Sequence, residues 1–145
     1  MNIIETMRDI LQRFPKISEM LGTVHVDFTD TTPDSYGLSP MGDSLLSEDI
    51  LGTQTRQHSF LLYAVFSAIN DYERLANSGI LLELSLWLQQ QIGCEVVTEI
   101  DGTENRGELT KITTDNGMLY NIPEENLVSG VQYQLQINAE YTIEF

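Results

Sequence analysis

The sequence has little of several features that mark common classes of protein. It contains one cysteine, Cys94, which cannot form an internal disulfide and has no second cysteine for a zinc site, so we expect a reducing compartment. The longest apolar run, FLLYAVFSAI, stops well short of the ~20 residues that a membrane helix needs. The N-terminal MNIIETMRDIL lacks the basic and apolar segments of a signal peptide. We therefore expect a soluble intracellular product with no membrane partner.

Basic residues are also scarce, since 7 Lys and Arg face 22 Asp and Glu, which gives a formal charge of -15. A field of this sign repels phosphate backbones and anionic lipid, so specific nucleic-acid binding is disfavoured. Two interpretations stay open: an ordinary solvated surface, or a surface that faces DNA without binding it. Many of the acids lie in the last third of the chain: Glu95, Glu99, Asp101, Glu104, Glu108, Asp115, Glu124, Glu125, Glu140 and Glu144.

Catalytic motifs are missing as well. The chain has no GxxxxGK[ST] phosphate loop, no GxGxxG, no HExxH and no GxSxG. His25, His58 and Cys94 stand alone, without a catalytic partner nearby in the sequence. Three acids in DFTDTTPD could supply oxygens to calcium, but they lack the glycine and the late glutamate of an EF-hand loop: Asp27, Asp30 and Asp34. We therefore expect no enzyme, no metal and no cofactor.

The N-terminal half predicts a helix, a short strand and an arm. Asn2 can cap a helix, and Pro15 makes continuation beyond Phe14 improbable. After a short turn closed by Gly22, VHVDF alternates as a strand. From 30 to 57 the composition turns to Thr, Pro, Asp, Ser and Gly, which predicts weak strands around 35–38 and 45–51 in an extended, hairpin-like arm that leaves the core.

The middle of the chain predicts the central strand and the second main helix. HSFLLYAVFSAI, from His58 to Ile69, is apolar on both faces and predicts a strand covered above and below. Asn77, Ser78 and Gly79 predict a helix break, followed by a helix from Ile80 to Gln91 that Gly93 ends. Further on, DGTENRG and TDNG predict turns, with GELTKITT as a strand that can pair with MLYNI.

The last fifteen residues, VQYQLQINAEYTIEF, alternate without interruption between apolar and polar side chains. Fully extended, they would run about 50 Å, against a diameter of roughly 40 Å for a compact chain of this length. Two alternatives follow: the strand completes a neighbouring subunit's sheet, or it bends and stays in its own. The candidate inter-subunit residues are Tyr133, Leu135, Ile137, Tyr141, Ile143 and Phe145.

Together these elements predict one α+β domain over residues 1–145, with two main helices on a mostly antiparallel sheet. In the order and local sequence character of several segments, the chain resembles the minor capsid, or tail terminator, proteins of long-tailed phages and prophages of low-GC Gram-positive bacteria. The segments that carry the resemblance are the N-terminal helix, YGLSPMGD, SEDILG, QHSFLLYA, LLELSLWLQQQ and YQLQINAEYTIEF. They cover most of the chain.

The resemblance implies a function without catalytic residues or cofactors. It implies a hexameric ring in the virion that caps the tail tube at the head-tail interface, contacts the tail tube and head-completion proteins, and is made in the host cytoplasm. DNA would pass through the hole, and we select Asp101, Glu104 and Glu108 as lining residues. Two alternatives are another head-tail connector or completion protein of the same module, and a small enzyme or ligand-binding protein with a site near His58 and Asp27.

Overall fold

The structure, a computed structural model, describes residues 1–15, 24–26, 35–66, 71–121 and 131–145. Side chains are described for residues 1–15, 37–64, 79–115 and 133–145. Some predicted features lie outside these ranges: the turn at Gly22, the end of the predicted strand after Val26, and the three acids of DFTDTTPD. For these features the sequence-based predictions remain predictions.

The described chain forms two helices and six strands. The helices are α1 (Ile3–Arg13) and α2 (Asp71–Leu88). The strands are β1 (Val24–Val26), β2 (Ser35–Glu48), β3 (Gln54–Phe66), β4 (Glu95–Ile100), β5 (Thr103–Asn121) and β6 (Val131–Ile143). The strands lie side by side in the order β1-β2-β3-β6-β5-β4. Only the three-residue β1 pairs in parallel, so the predicted α+β fold with a mostly antiparallel, curled sheet is confirmed.

Helix α1 forms as its capping pattern predicts. The Asn2 side chain accepts a hydrogen bond of 2.9 Å from the backbone N–H of Glu5, and the helix ends at Arg13, just before Phe14 and Pro15. The apolar residues of α1 recur at helical spacing and are buried: Ile3, Met7, Ile10 and Leu11. The Phe14 ring lies 5.2 Å from the Trp87 ring, which ties the end of α1 to α2.

The core lies on one face of the sheet. The alternation of β6 is confirmed, since every second side chain from Tyr133 to Ile143 is buried in it. Phe60, Leu62 and Ala64 of β3 lie opposite them and are buried too. Their neighbours on the other face, Leu61 and Tyr63, are only half-buried, so the prediction that β3 is covered on both faces holds for one face alone.

Three predicted interruptions of a helix or strand are wrong, each because tertiary packing outweighs local propensity. Helix α2 runs unbroken through 77–79, since its buried Leu81, Leu84 and Leu88 hold it on the sheet at a glycine cost of about 1 kcal/mol. Strand β5 continues through TDNG, where a register shift against β6 replaces the predicted hairpin. Strand β2 is also continuous, and bulges at 40–42 and 45–47 take the place of the gap between two weak strands.

Candidate functional site

The turn between β2 and β3 is built around one side chain. The Asp49 carboxylate accepts hydrogen bonds of 2.9 Å from the backbone N–H groups of Leu51 and Thr53. The backbone closes the same turn, with Asp49 N–H donating to the Thr53 carbonyl at 3.0 Å and Gly52 N–H donating to the Asp49 carbonyl at 3.1 Å. Gly52 has φ +90°, a conformation that favours glycine. The turn therefore has a defined shape.

This turn presents its two apolar side chains to solvent. Ile50 is fully exposed and Leu51 is 86% exposed, and we call these two residues the apolar tip. Along the adjoining half of β2 three further apolar side chains are about half exposed: Met41, Leu45 and Leu46. Two large aliphatic side chains side by side on an exposed turn are a candidate interaction surface. Sequence reasoning placed an arm here but missed the tip, which ILG after two acids in a polar segment could have signalled.

A polar cluster around Asp43 lies in the half of the hairpin nearer the turn. Its carboxylate pairs with the Arg56 Nε at 2.5 Å and the His58 Nδ1 at 3.1 Å, and it accepts a hydrogen bond of 2.5 Å from the Tyr141 hydroxyl. Because β2, β3 and β6 each contribute a residue, the cluster fixes the hairpin to the terminal strand. We call Asp43, Arg56, His58 and Tyr141 the hinge cluster.

The charges of the hinge cluster shift the acidities of its members. Burial raises the pKa of Asp43, but hydrogen bonds from Tyr141, Arg56 and His58 outweigh it, so the pKa lies below its ordinary value of 3.8. Burial and the hydrogen bond to Asp43 raise the pKa of Tyr141, which stays neutral. The cluster is thus an ion pair of Asp43 and Arg56 supported by two rings.

His58 was the residue around which the enzyme alternative was framed. Its ring is buried and stacks on Phe60 at a centroid distance of 4.7 Å. Nδ1 faces Asp43, and Nε2 is buried with no hydrogen-bond partner among the described residues. Asp27, the other residue of that alternative, lies outside the described residues. In this conformation His58 packs into the hairpin and does not present a nitrogen to a substrate.

The candidate inter-subunit residues of the terminal strand lie in the core. Strand β6 pairs with β3 from Val131 to Ile143 and with β5 from Gln132 to Tyr141, so both of its edges carry strands of the same chain. This placement agrees with the alternative in which the strand stays in its own sheet, and the partners β3 and β5 match its length. A neighbour could add to β6 only by displacing one of them. Among the six candidates, Phe145 is exposed.

The opposite face of β6 carries the polar side chains of the alternating pattern. Asn138 is buried there and is bonded within the sheet. Its amide oxygen accepts from the Ser59 hydroxyl at 3.0 Å and the Gln136 amide at 3.2 Å, and its amide nitrogen donates to Asp115 at 3.0 Å. These hydrogen bonds offset the desolvation of Asn138 inside one chain.

The three candidate lining acids gather on the β4–β5 hairpin. Asp101 and Gly102 form its two-residue turn, both with positive φ, of 50° and 79°. The register places four glutamates on one face of this hairpin, and we call them, with Asp101, the acidic hairpin face: Glu95, Glu99, Glu104 and Glu108. All four are exposed. The structure thus brings the predicted Asp101, Glu104 and Glu108 together and adds Glu95 and Glu99.

One cation lies among these acids. Arg106 Nη1 donates to Glu95 at 2.7 Å and Nη2 donates to Glu104 at 3.1 Å. Glu95 faces Glu108 across the strands, and Glu99 faces Glu104, so like charges are opposed in two cross-strand pairs. The face keeps a net negative charge because five carboxylates surround one guanidinium.

Comparisons with known proteins add no relative. No protein-family model matches the chain, and a search of curated protein sequences gives no significant match. No helix in the described part of the chain is long and apolar enough to cross a membrane. The described residues offer two surfaces for function: an apolar tip on one hairpin and an acidic face on another.

Proposed function

We propose that this chain is a structural virion protein that forms a ring on the tail tube of a long-tailed phage, at the head-tail interface. The observation that carries the proposal is the apolar tip, which a turn of defined shape holds in the solvent on a hairpin braced by the partly buried hinge cluster. The resemblance in segment order to tail terminator proteins gives the proposal its particular form. The expected partners are further copies of the chain, the tail tube protein and a head-completion protein.

The apolar tip supports an assembly function because two large aliphatic side chains stand together, 86% or more exposed, on a turn of defined shape. A chain with a formal charge of -15 and many polar residues could place polar side chains in this turn at no cost to its folding. Aliphatic anchors on a rigid support are typical of the residues that dominate binding energy at protein interfaces.

The acidic hairpin face supports a position beside DNA. In a ring, carboxylates that line the hole would repel the phosphate backbone, so DNA would slide through without adhering. Glu104 and Glu108 are exposed on this face and Asp101 forms its turn, as such a lining requires. Specific nucleic-acid binding is not part of the proposal.

The first experiment measures the mass of the protein by light scattering at low and high salt, with negative-stain images of the largest species. We expect a six-fold ring with an axial hole. Like-charged subunits repel one another, so the ring should strengthen as salt screens the acids over a Debye length of about 10 Å at 0.1 M. A ring that tightens when salt is removed would contradict this account.

A second experiment mixes the protein with purified tail tubes and, separately, with head-completion protein. Capping of one tube end supports the proposal directly. Binding to the head-completion protein alone favours another connector of the same module. If neither partner binds, the small enzyme or ligand-binding alternative gains, and a His58→Ala variant that loses a binding or turnover signal while keeping its fold would establish it.

A further inference from the structure

A second exposed apolar surface lies on α2, away from the β2–β3 hairpin in the chain. Leu82 and Leu86 stand one helical turn apart on α2, and Ile92 follows the helix end; each is more than half exposed. They are separate from Leu81, Leu84 and Leu88, which pack into the core. Helix α2 thus binds the sheet with one face and leaves an apolar stripe on another.

This stripe leads into a groove between the end of α2 and β5. The groove has a volume of about 310 Å³ and is lined by Gln89, Ile92 and four consecutive residues of β5, 110–113. Gln89 continues the helical face of Leu82 and Leu86, because positions 82, 86 and 89 follow helical spacing. The volume is near the lower limit of roughly 300 Å³ for binding pockets, which suits a few side chains better than a large ligand.

The groove carries one of the few cations of the chain. Lys111 lines it and is exposed, with its Nζ 4.0 Å from a Glu140 oxygen. On the hairpin, the exposed Glu48 ends β2 directly before the turn that bears the apolar tip. The groove itself is lined largely by polar residues, and Ile92 joins it to the apolar stripe. The two surfaces therefore match in this way: each has exposed aliphatic side chains, and an acid beside one has a base beside the other.

The two surfaces do not meet within one chain. Ile50 is fully exposed, so the tip does not fill its own groove. In the sheet order, the tip joins β2 to β3, while the groove is on β5, with β6 between β3 and β5. A tip can therefore meet a groove only on another copy, and such a contact joins two different patches. Contacts of this head-to-tail kind close into rings when the rotation between neighbours allows it.

Resting on the proposed ring function, we propose that the apolar tip, Ile50 and Leu51, docks into the α2–β5 groove of a second copy of this chain, with Glu48 facing the neighbour's Lys111. Each copy then gives one tip and receives another. The hinge cluster holds the hairpin at the angle that the contact needs, and Asp49 keeps the two aliphatic side chains at its end.

The test uses two variants that each lose one half of the contact. The tip variant is Ile50→Ser with Leu51→Ser, and the groove variant is Leu86→Ser with Ile92→Ser. All four side chains are more than half exposed, so both variants should fold. The control is Ile100→Ser, which removes an aliphatic side chain, 45% exposed, at the end of β4 and outside both surfaces. Light scattering and sedimentation give the species formed.

We expect wild type and control to form the ring and each variant alone to stay monomeric. A 1:1 mixture of the two variants should give a dimer and nothing larger, because only one intact tip and one intact groove remain in each pair. Rings that persist in both variants, or a mixture that stays monomeric, would overturn the docking. A wild-type chain that is monomeric at all salt concentrations would overturn it as well.

Failure of the proposed function has a different signature. Suppose that the variant mixture gives the dimer, but that the wild-type assembly is not a ring and does not bind tail tubes. The docking contact then stands and the virion function is overturned. Conversely, if wild type and the tip variant both form rings that cap tail tubes, the proposed function stands and the docking contact is overturned.

A charge exchange tests the register of the contact. Glu48→Lys and Lys111→Glu should each weaken assembly about tenfold, since each places like charges together. The double variant should recover most of the loss, and the recovery should shrink as salt rises. A double variant weaker than both single variants would show that these two residues do not face each other.

Discussion

The two hairpins of this sheet differ in their turns and in the side chains that they expose. The β2–β3 hairpin ends in a turn of several residues held by Asp49 and exposes two aliphatic side chains. The β4–β5 hairpin ends in the two-residue turn Asp101–Gly102 and exposes carboxylates. One hairpin therefore ends in exposed apolar side chains and the other in exposed charges. The comparison shows that one sheet can carry two ends of opposite chemical character.

The hairpins are also fixed to the rest of the sheet in different ways. The apolar hairpin is held by backbone pairing of β3 with β6, from Gln54 to Phe66, and the side chains of the hinge cluster add to it. The acidic hairpin is held by close backbone approach: a Cβ on Gly107 would overlap the Thr142 carbonyl, and Glu144 N–H donates to the Arg106 carbonyl at 2.8 Å. The first attachment thus has a charge-dependent part, and the second depends on the absence of a side chain at Gly107.

The largest effect should come from Gly107→Ala. The new methyl group would meet backbone that cannot rotate away, so β5 must move off β6. We expect a loss of about 3 kcal/mol or more in the free energy of unfolding, measured by urea denaturation. The matched control is Gly79→Ala in α2, where a Cβ meets nothing within 4 Å; it should stabilise by up to about 1 kcal/mol. Equal effects would contradict the close approach.

Next in size is Asp43→Asn, which removes the charge of the hinge cluster and leaves Arg56 without its ion-pair partner. We expect a loss of about 2 kcal/mol at neutral pH, because a partly buried charge loses its partner. Tyr141→Phe removes one hydrogen bond and should cost about 1 kcal/mol. If Asp43→Asn lowered the free energy of unfolding no more than Tyr141→Phe does, the ion pair would not stabilise the hairpin.

The hinge cluster also predicts a pH dependence. The folded pKa of Asp43 is lower than its ordinary 3.8, so its contribution to stability is fully present above about pH 5 and is lost as the pH falls through the folded value. Wild type should therefore lose more stability between about pH 5 and pH 2.5 than Asp43→Asn does. Urea midpoints across this range give the difference, and parallel curves would count against the ion pair.

A smaller effect is expected at the tip turn. Asp49→Ala removes an acceptor for two backbone N–H groups and should cost about 1 kcal/mol, while Ile50→Ser should change stability by less than about 0.5 kcal/mol. Both variants should assemble more weakly than wild type. A large loss of stability in Ile50→Ser would show that the tip packs on its own chain.

The smallest effect should come from the acidic hairpin face. Glu99→Gln removes one like-charge pair with Glu104 and should stabilise the chain by a few tenths of a kcal/mol at low salt. The gain should vanish at high salt, since both side chains are exposed and screened. Thermal unfolding at two salt concentrations measures it, with Glu83→Gln, at an exposed acid inside α2, as a control for general charge.

The sequence predicted elements well where a local pattern and the tertiary structure agree. Asn2 capped α1 as expected, and the alternation of Tyr133 to Ile143 identified the buried face of β6. It failed where packing overrides propensity, as at Gly79 inside α2 and at TDNG inside β5. The hinge cluster could not be predicted, since Asp43 and Tyr141 are 98 residues apart and meet only through strand pairing.

By itself the sequence determined the charge, the α+β class and which side chains of each regular element are apolar, because these depend on composition and on spacing along the chain. The tertiary structure decided what those side chains face. Pairing of β6 with β3 and β5 made the terminal strand part of its own core, while Ile50, as apolar as any core residue, was left outside. Burial is a property of neighbours in space, and a pattern of residues cannot say which surfaces the sheet leaves uncovered.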